Sequence, residues 1–215
     1  MAPNADMPTK AAQFDSFSLA NMVPQAPKNN QQVWRELEEA TRAIVTKQKQ
    51  DVYVITGPVF AGKKLKTIGN GVIVPTAVYK AVYMPKTGAI GAYYAPNDNS
   101  LKVRIVSVCY LEEQLGINLF PQLTEEQKRN TYRLPLTAKA VKANQKIEYS
   151  NWDAESQCAE DVSKENLQAL QRQFKFASSG STSPAAGSAM DSATQETIVK
   201  QLIDALLQYI LQLLK

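Results

Sequence analysis

Residues 51–109 carry five short β-rich segments in close succession, at 51–56, 71–75, 77–84, 90–95 and 101–109. Their Val, Ile, Tyr and Thr content and the turn residues between them predict strands. Helical patterns lie on both sides. Val33, Leu37, Ala40 and Ile44 recur at helical spacing from Asn30 to about Lys47, with Asn29 or Asn30 available as the cap. Residues 111–115 read as a short helix stopped by Gly116, and Val162, Leu167, Leu170 and Phe174 mark another amphipathic helix. The first thirty residues, with Pro3, Pro8, Pro24 and Pro27, read as an irregular lead-in.

Beyond Phe176 the composition changes. Residues 177–193 are rich in Ser, Ala and Gly with almost no bulky apolar side chain, which is flexible-linker composition. Residues 194–215 then predict a helix whose Ile198, Leu202, Tyr209 and Leu213 form one stripe, widened by Ile203, Leu207, Ile210 and Leu214. The expected organisation is a folded part over 1–176, a linker over 177–193 and an amphipathic helix over 194–215. So wide an apolar face needs cover: the body of the protein, a second copy in a homo-oligomer, or a membrane surface, with the first two favoured. It does not span a membrane, because Lys200, Gln201, Asp204, Gln208 and Gln212 interrupt it. Residues 1–10 contain no apolar stretch of the kind that directs export.

The sequence contains no histidine, which excludes within these residues a Ser-His-Asp triad, a Cys-His dyad, a His-bearing zinc site and a histidine general base. Cys109 and Cys158 allow at most one disulfide, and Cys109, in an apolar run, reads as a small buried hydrophobe. The net charge of +4 is mild, but residues 61–104 hold Lys63, Lys64, Lys66, Lys80, Lys86, Lys102 and Arg104 against Asp98 alone. Such a segment can attract phosphates or can simply be solvated hairpin tips. Gly57, Gly62 and Lys63 match a phosphate-binding loop pattern. That reading fails, because position 64 is Lys rather than Ser or Thr, Pro58 removes an amide donor, and a Val/Ile strand follows where a helix should begin.

The opening of the chain is the informative part. Ser18-Leu-Ala-Asn21-Met-Val-Pro24-Gln25 is followed by Asn29-Asn30, Trp34 and Leu37-Glu38. Ile55-Thr-Gly-Pro-Val-Phe60, Val74-Pro75-Thr76 with Tyr79-Lys80, and Gly116-Ile-Asn-Leu-Phe120-Pro121 come later. In this order, over about residues 1–125, the motifs resemble the DNA/RNA non-specific endonucleases, the ββα-metal nucleases. The resemblance implies an α+β fold with a mixed sheet and flanking helices. It implies a metal-dependent endonuclease hydrolysing DNA and RNA backbones without base specificity, using Mg²⁺ or Mn²⁺ in its place.

Carried over by position, Asn30 becomes the metal ligand, Glu38 a carboxylate behind it that orients water, Asn21 a polar group beside the scissile phosphate, and Gln25 part of the same wall. On an ideal helix Asn30 and Glu38 are about 80° apart, so both can face one side. The family's Asp-Arg-Gly-His signature, with its histidine base, falls immediately before Met1. The expectation is therefore a chain cut at the active site, without the preceding strands and with little or no activity of its own. Family members are often periplasmic or secreted. The alternative is a non-catalytic nucleic-acid-binding or self-assembling module.

If the terminal helix joins copies, deleting residues 194–215 abolishes concentration-dependent association in sedimentation velocity. A tail that folds back on its own body leaves the measured mass unchanged.

Overall fold

Strand alternation sets the layers. In the computed structural model, which describes residues 1–160, strand β4 (Ala77–Met84) turns Val78, Lys80, Val82 and Met84 to one side and Ala77, Tyr79, Ala81 and Tyr83 to the other. It pairs with β1 (Tyr53–Val59) and β5 (Ala89–Pro96), and β6 (Arg104–Val106) completes a four-stranded sheet in the order β1-β4-β5-β6. The β2 (Thr67–Ile68) and β3 (Val72–Ile73) pair lies in the β1–β4 connection, and β7 (Asn130–Tyr132) pairs with β8 (Tyr149–Trp152).

Both faces of the main sheet are covered. On one, Val33, Trp34, Leu37, Ala43 and Ile44 of the helical segment ending in α2 (Arg35–Gln48) pack on Val78, Val82, Met84, Ala89, Tyr93 and Ala95. On the other, Val108 and Leu111 of α3 (Val108–Leu115), with Leu119 and Phe120, pack on Ala77, Tyr79, Ala81, Ile90 and Ala92. This double cover explains why β4 is buried along nearly its whole length instead of alternating between core and solvent.

The α+β class matches the expectation. Every strand pair among the described residues is antiparallel, however, so the sheet is antiparallel over these strands where a mixed one was expected. Strand 101–109 is cut to Arg104–Val106, because Ser107 caps α3 by accepting the Tyr110 N–H at 2.9 Å and the chain turns into helix there. Cys109 is buried as expected, but in a helix, and it is disulfide-bonded to Cys158 with Cα atoms 4.1 Å apart. The lead-in is more ordered than its composition suggests, with turns at Asn4–Asp6 and Leu19–Asn21 and α1 (Lys10–Asp15), capped by Thr9. The expected helix around 162–174, the linker at 177–193 and the helix at 194–215 lie outside the described residues. Gly57 sits inside β1, where a Cβ would meet the Tyr79 hydroxyl oxygen at 2.7 Å. The first glycine of the phosphate-loop pattern is thus a strand residue kept small by a tyrosine. Pro58 is tolerated because β1 is an edge.

A buried ion pair ties the α3 side together. Glu112 Oε1 lies 3.0 Å from Lys128 Nζ of α4 (Glu125–Arg129) and accepts the Leu119 N–H at 2.9 Å, while Oε2 accepts the Ala159 N–H at 3.1 Å. Lys128 also donates to Asn118 Oδ1 at 2.6 Å. Lys128→Met leaves the Glu112 charge buried without its partner, and urea denaturation should show a loss of about 3–5 kcal/mol.

Candidate functional site

The site is built where the helix leading into α2 begins. The helix opens at Pro27, whose missing N–H and restricted φ suit a first turn. Amides at its start are met from the residues that follow β5: Ala26 N–H donates to Asn97 Oδ1 at 2.7 Å and Lys28 N–H to Asn99 Oδ1 at 3.2 Å. Asn97 Nδ2 in turn donates to the carbonyls of Pro24 and Pro75, both at 2.9 Å. Neither Asn29 nor Asn30 is the cap, contrary to expectation, because Pro27 starts the helix ahead of them.

Residues Asn29–Trp34 form a π-helical stretch, a wide turn that the hydrophobic spacing gives no sign of. Asn29 anchors it: wholly buried, it accepts from Gln25 Nε2 at 2.5 Å and donates from Nδ2 to the Pro96 carbonyl at 2.7 Å. Asn30 is exposed, and its side chain makes no hydrogen bond among the described residues. The wide turn changes the phase between positions 30 and 38, and both side chains line one depression of about 360 Å³, together with Asn21 and Gln25. The four expected site residues therefore share a surface.

Their states differ. Gln25 has its amide nitrogen committed to Asn29. Asn21 is bonded to the start of the chain: Nδ2 donates to the carbonyls of Ala2 at 2.9 Å and Ser16 at 2.7 Å, and Oδ1 accepts from the Ala2 N–H at 2.5 Å and from the Met1 amino group. Glu38 is half-buried, without an ion pair or hydrogen bond among the described residues, and also lines an adjoining depression of about 410 Å³. Burial raises its pKa, and the positive charge of Lys80 pulls it back down.

In the sequence Lys80 stands among the basic residues of 61–104 and in the Tyr79-Lys80 motif, with no role attached to it. It is buried between Val78 and Val82, donates to Thr56 Oγ1 at 3.3 Å, and lies 5.4 Å from the centre of the Trp34 ring. Burial lowers its pKa, and Glu38 and Asp6 raise it. On the rim, Asp6 pairs with Arg42 at 2.6 Å. The usable signal for Lys80 was its place in a Val-Tyr-Lys-Ala-Val strand, on the same side as two valines that must face the core.

The other basic residues of 61–104 form no single surface. Lys63, Lys64 and Lys66 are exposed between β1 and β2, Lys86 is exposed at the far end of β4, and Arg104 stacks on Tyr94 and Tyr110 at 5.0 and 5.3 Å. Among the described residues no three of His, Cys, Asp and Glu gather as a metal cage. The donors in the depression are amide and carboxylate oxygens, a hard set of the kind that binds hard divalent cations.

Asn29 and Asn30 should separate in mutagenesis. Asn29→Ala removes a buried amide with two partners and should cost about 1–3 kcal/mol in urea denaturation. Asn30→Ala, on an exposed side chain, should stay within about 0.5 kcal/mol of wild type.

Residues 1–126 match the family described as DNA/RNA non-specific endonuclease. Similar proteins include a mitochondrial nuclease EXOG of Danio rerio, 35% identical over 148 residues, covering 59% of this chain and 43% of that protein. Human mitochondrial endonuclease G is 32% identical over 133 residues, covering 54% and 44%. A nuclease of a Nostoc strain is 31% identical over 141 residues, covering 58% and 50%. The chain thus spans about half or less of the length of these relatives. Where their names state a compartment it is the mitochondrion, not the periplasm. No helix among the described residues is long and apolar enough to cross a membrane. With more than half of its residues matched, the chain belongs to the DNA/RNA non-specific endonuclease family.

Proposed function

We propose that the depression lined by Asn21, Gln25, Asn30 and Glu38 is part of a site for hydrolysing the phosphodiester backbone of DNA and RNA without reading bases. The observation that carries this reading is the presence of a free Asn30 amide and an unpaired Glu38 carboxylate in one depression, in a chain of this family. Asn30 would hold Mg²⁺, or Mn²⁺ in its place. The bound ion would supply positive charge against that developing on the phosphate. Glu38 accepts hydrogen bonds from water entering the depression and so orients it. Asn21 and Gln25 give the phosphate a polar wall, and Lys63, Lys64 and Lys66 offer a sequence-independent electrostatic hold on the backbone.

These residues include no histidine, so this chain does not itself provide an imidazole base. A missing general base removes about 10²–10⁴ in rate, and the chain alone is expected to cleave weakly or not at all. The same absence favours, as the second reading, a module that binds nucleic acid or assembles without cleaving.

The test is divalent-metal-dependent cleavage of plasmid DNA and of RNA by this chain, beside a version with an Asp-Arg-Gly-His segment ahead of Met1. Cleavage by the longer version supports the nuclease site. If both fold and neither cleaves, the binding reading replaces it. Asn30→Ala should weaken Mg²⁺ affinity at least about tenfold by calorimetry. Nucleic-acid affinity should fall steeply as salt rises.

A further inference from the structure

Lys80 is a charged residue in a place that packing alone would give to Val or Leu. It is 2% exposed, on the sheet face covered by the helix, and its neighbours do not neutralise it: the Thr56 hydroxyl is a neutral acceptor and the Trp34 ring offers only its electron-rich face. Two carboxylates face it across the adjoining depression, Asp6 from the first turn of the chain and Glu38 from α2. Asp6 is already paired with Arg42 at 2.6 Å, which leaves Glu38. Glu38 in turn has no partner within ion-pairing distance among the described residues, although it is half-buried. A buried cation and a half-buried anion, each without a direct counter-charge, thus line the same water-accessible space.

We propose that Lys80 is a positioning residue for Glu38: its ammonium, held under Trp34 and against Thr56, keeps the Glu38 carboxylate ionised and turned into the depression. The inference gains its functional meaning from the nuclease reading, in which Glu38 orients water. The other charges facing Glu38 are Asp6, which opposes its ionisation, and Arg42 and the Met1 amino group, which favour it. Among the favourable charges Lys80 acts most strongly. Burial disfavours the charged form of both groups, and each charge restores the other. Without Lys80 the carboxyl would hold its proton to higher pH, and its ionised fraction near neutrality would fall.

The experiment is a carbon-13 NMR titration of the Glu38 carboxyl and of the Lys80 side chain in the full chain, without metal. Lys80→Met fills nearly the same volume without the charge and should raise the Glu38 pKa by about one unit or more, a tenfold gain in proton affinity. Lys80→Arg should leave it near wild type. By reciprocity Glu38→Gln should lower the Lys80 pKa by the same increment. A lysine that only fills space predicts no movement in either titration. An unchanged Glu38 pKa in Lys80→Met overturns the proposal, and so does an unchanged Lys80 pKa in Glu38→Gln. The second variant alters only a groove side chain, so it decides the matter even if Lys80→Met does not fold.

These readings need no catalysis. Coupling observed in a chain whose histidine-bearing version does not cleave would leave the pair standing and remove the nuclease reading. If that version does cleave, Lys80→Met should lower kcat and move the acidic limb of its pH profile upward, and Lys80→Arg should restore both.

Discussion

A charge placed between a helix and a sheet must be met, and Lys80 is that charge. The strand around it is covered on both faces, so its ammonium cannot reach bulk water by bending aside as a surface lysine would. The surroundings compromise instead. Trp34 lies over it, Thr56 accepts one hydrogen bond, and the depression reaching in past Glu38 and Asp6 brings opposite charge to it. A tightly packed core here would leave the ion without solvation, at a cost larger than the packing returned. The presence of a depression at this edge of the helix–sheet contact follows from that constraint.

The same end of the helix is held by asparagines. Asn97 and Asn99 reach from the end of β5 to cap the helix start, Asn97 also gathers the carbonyls of Pro24 and Pro75, and Asn29 ties the π turn to Pro96. The Asn97 and Asn29 amides donate and accept at once, so a few side chains join three separate stretches of chain without adding net charge. The result is a cross-linked helix start carrying an exposed side chain, Asn30, that makes no hydrogen bond among the described residues. A buried, doubly bonded Asn29 beside an exposed Asn30 left free is the usual division of labour in a binding site supported from behind.

Much of this was legible and some was not, for reasons that differ by residue. Val33, Leu37, Ala40 and Ile44 are all buried, because helical periodicity reports directly which face meets the core. Strand 77–84 matched β4 residue for residue. The stretch 101–109 was misjudged, since an apolar run has no periodicity to tell strand from helix, and the deciding residue was the Ser107 cap. In the site, Asn21, Gln25, Asn30 and Glu38 were named from the order of motifs and do share a depression. Which of them are free and which are tied was invisible, because hydrogen-bond partners such as Pro96 lie about seventy residues away.

The sequence by itself determined the class of fold, the family and the residues that could take part, because periodicity, strand content and ordered motifs are local properties of the chain. It also determined that no imidazole comes from these residues. Tertiary structure alone decided that Lys80 lines the same depression as Glu38, that Asn29 rather than Asn30 is the anchor, and that Cys109 pairs with Cys158. Those outcomes depend on which distant groups arrive beside a given side chain once both faces of the sheet are covered. Burial, charge and hydrogen bonding there are properties of the assembled neighbourhood, which no single stretch of sequence contains.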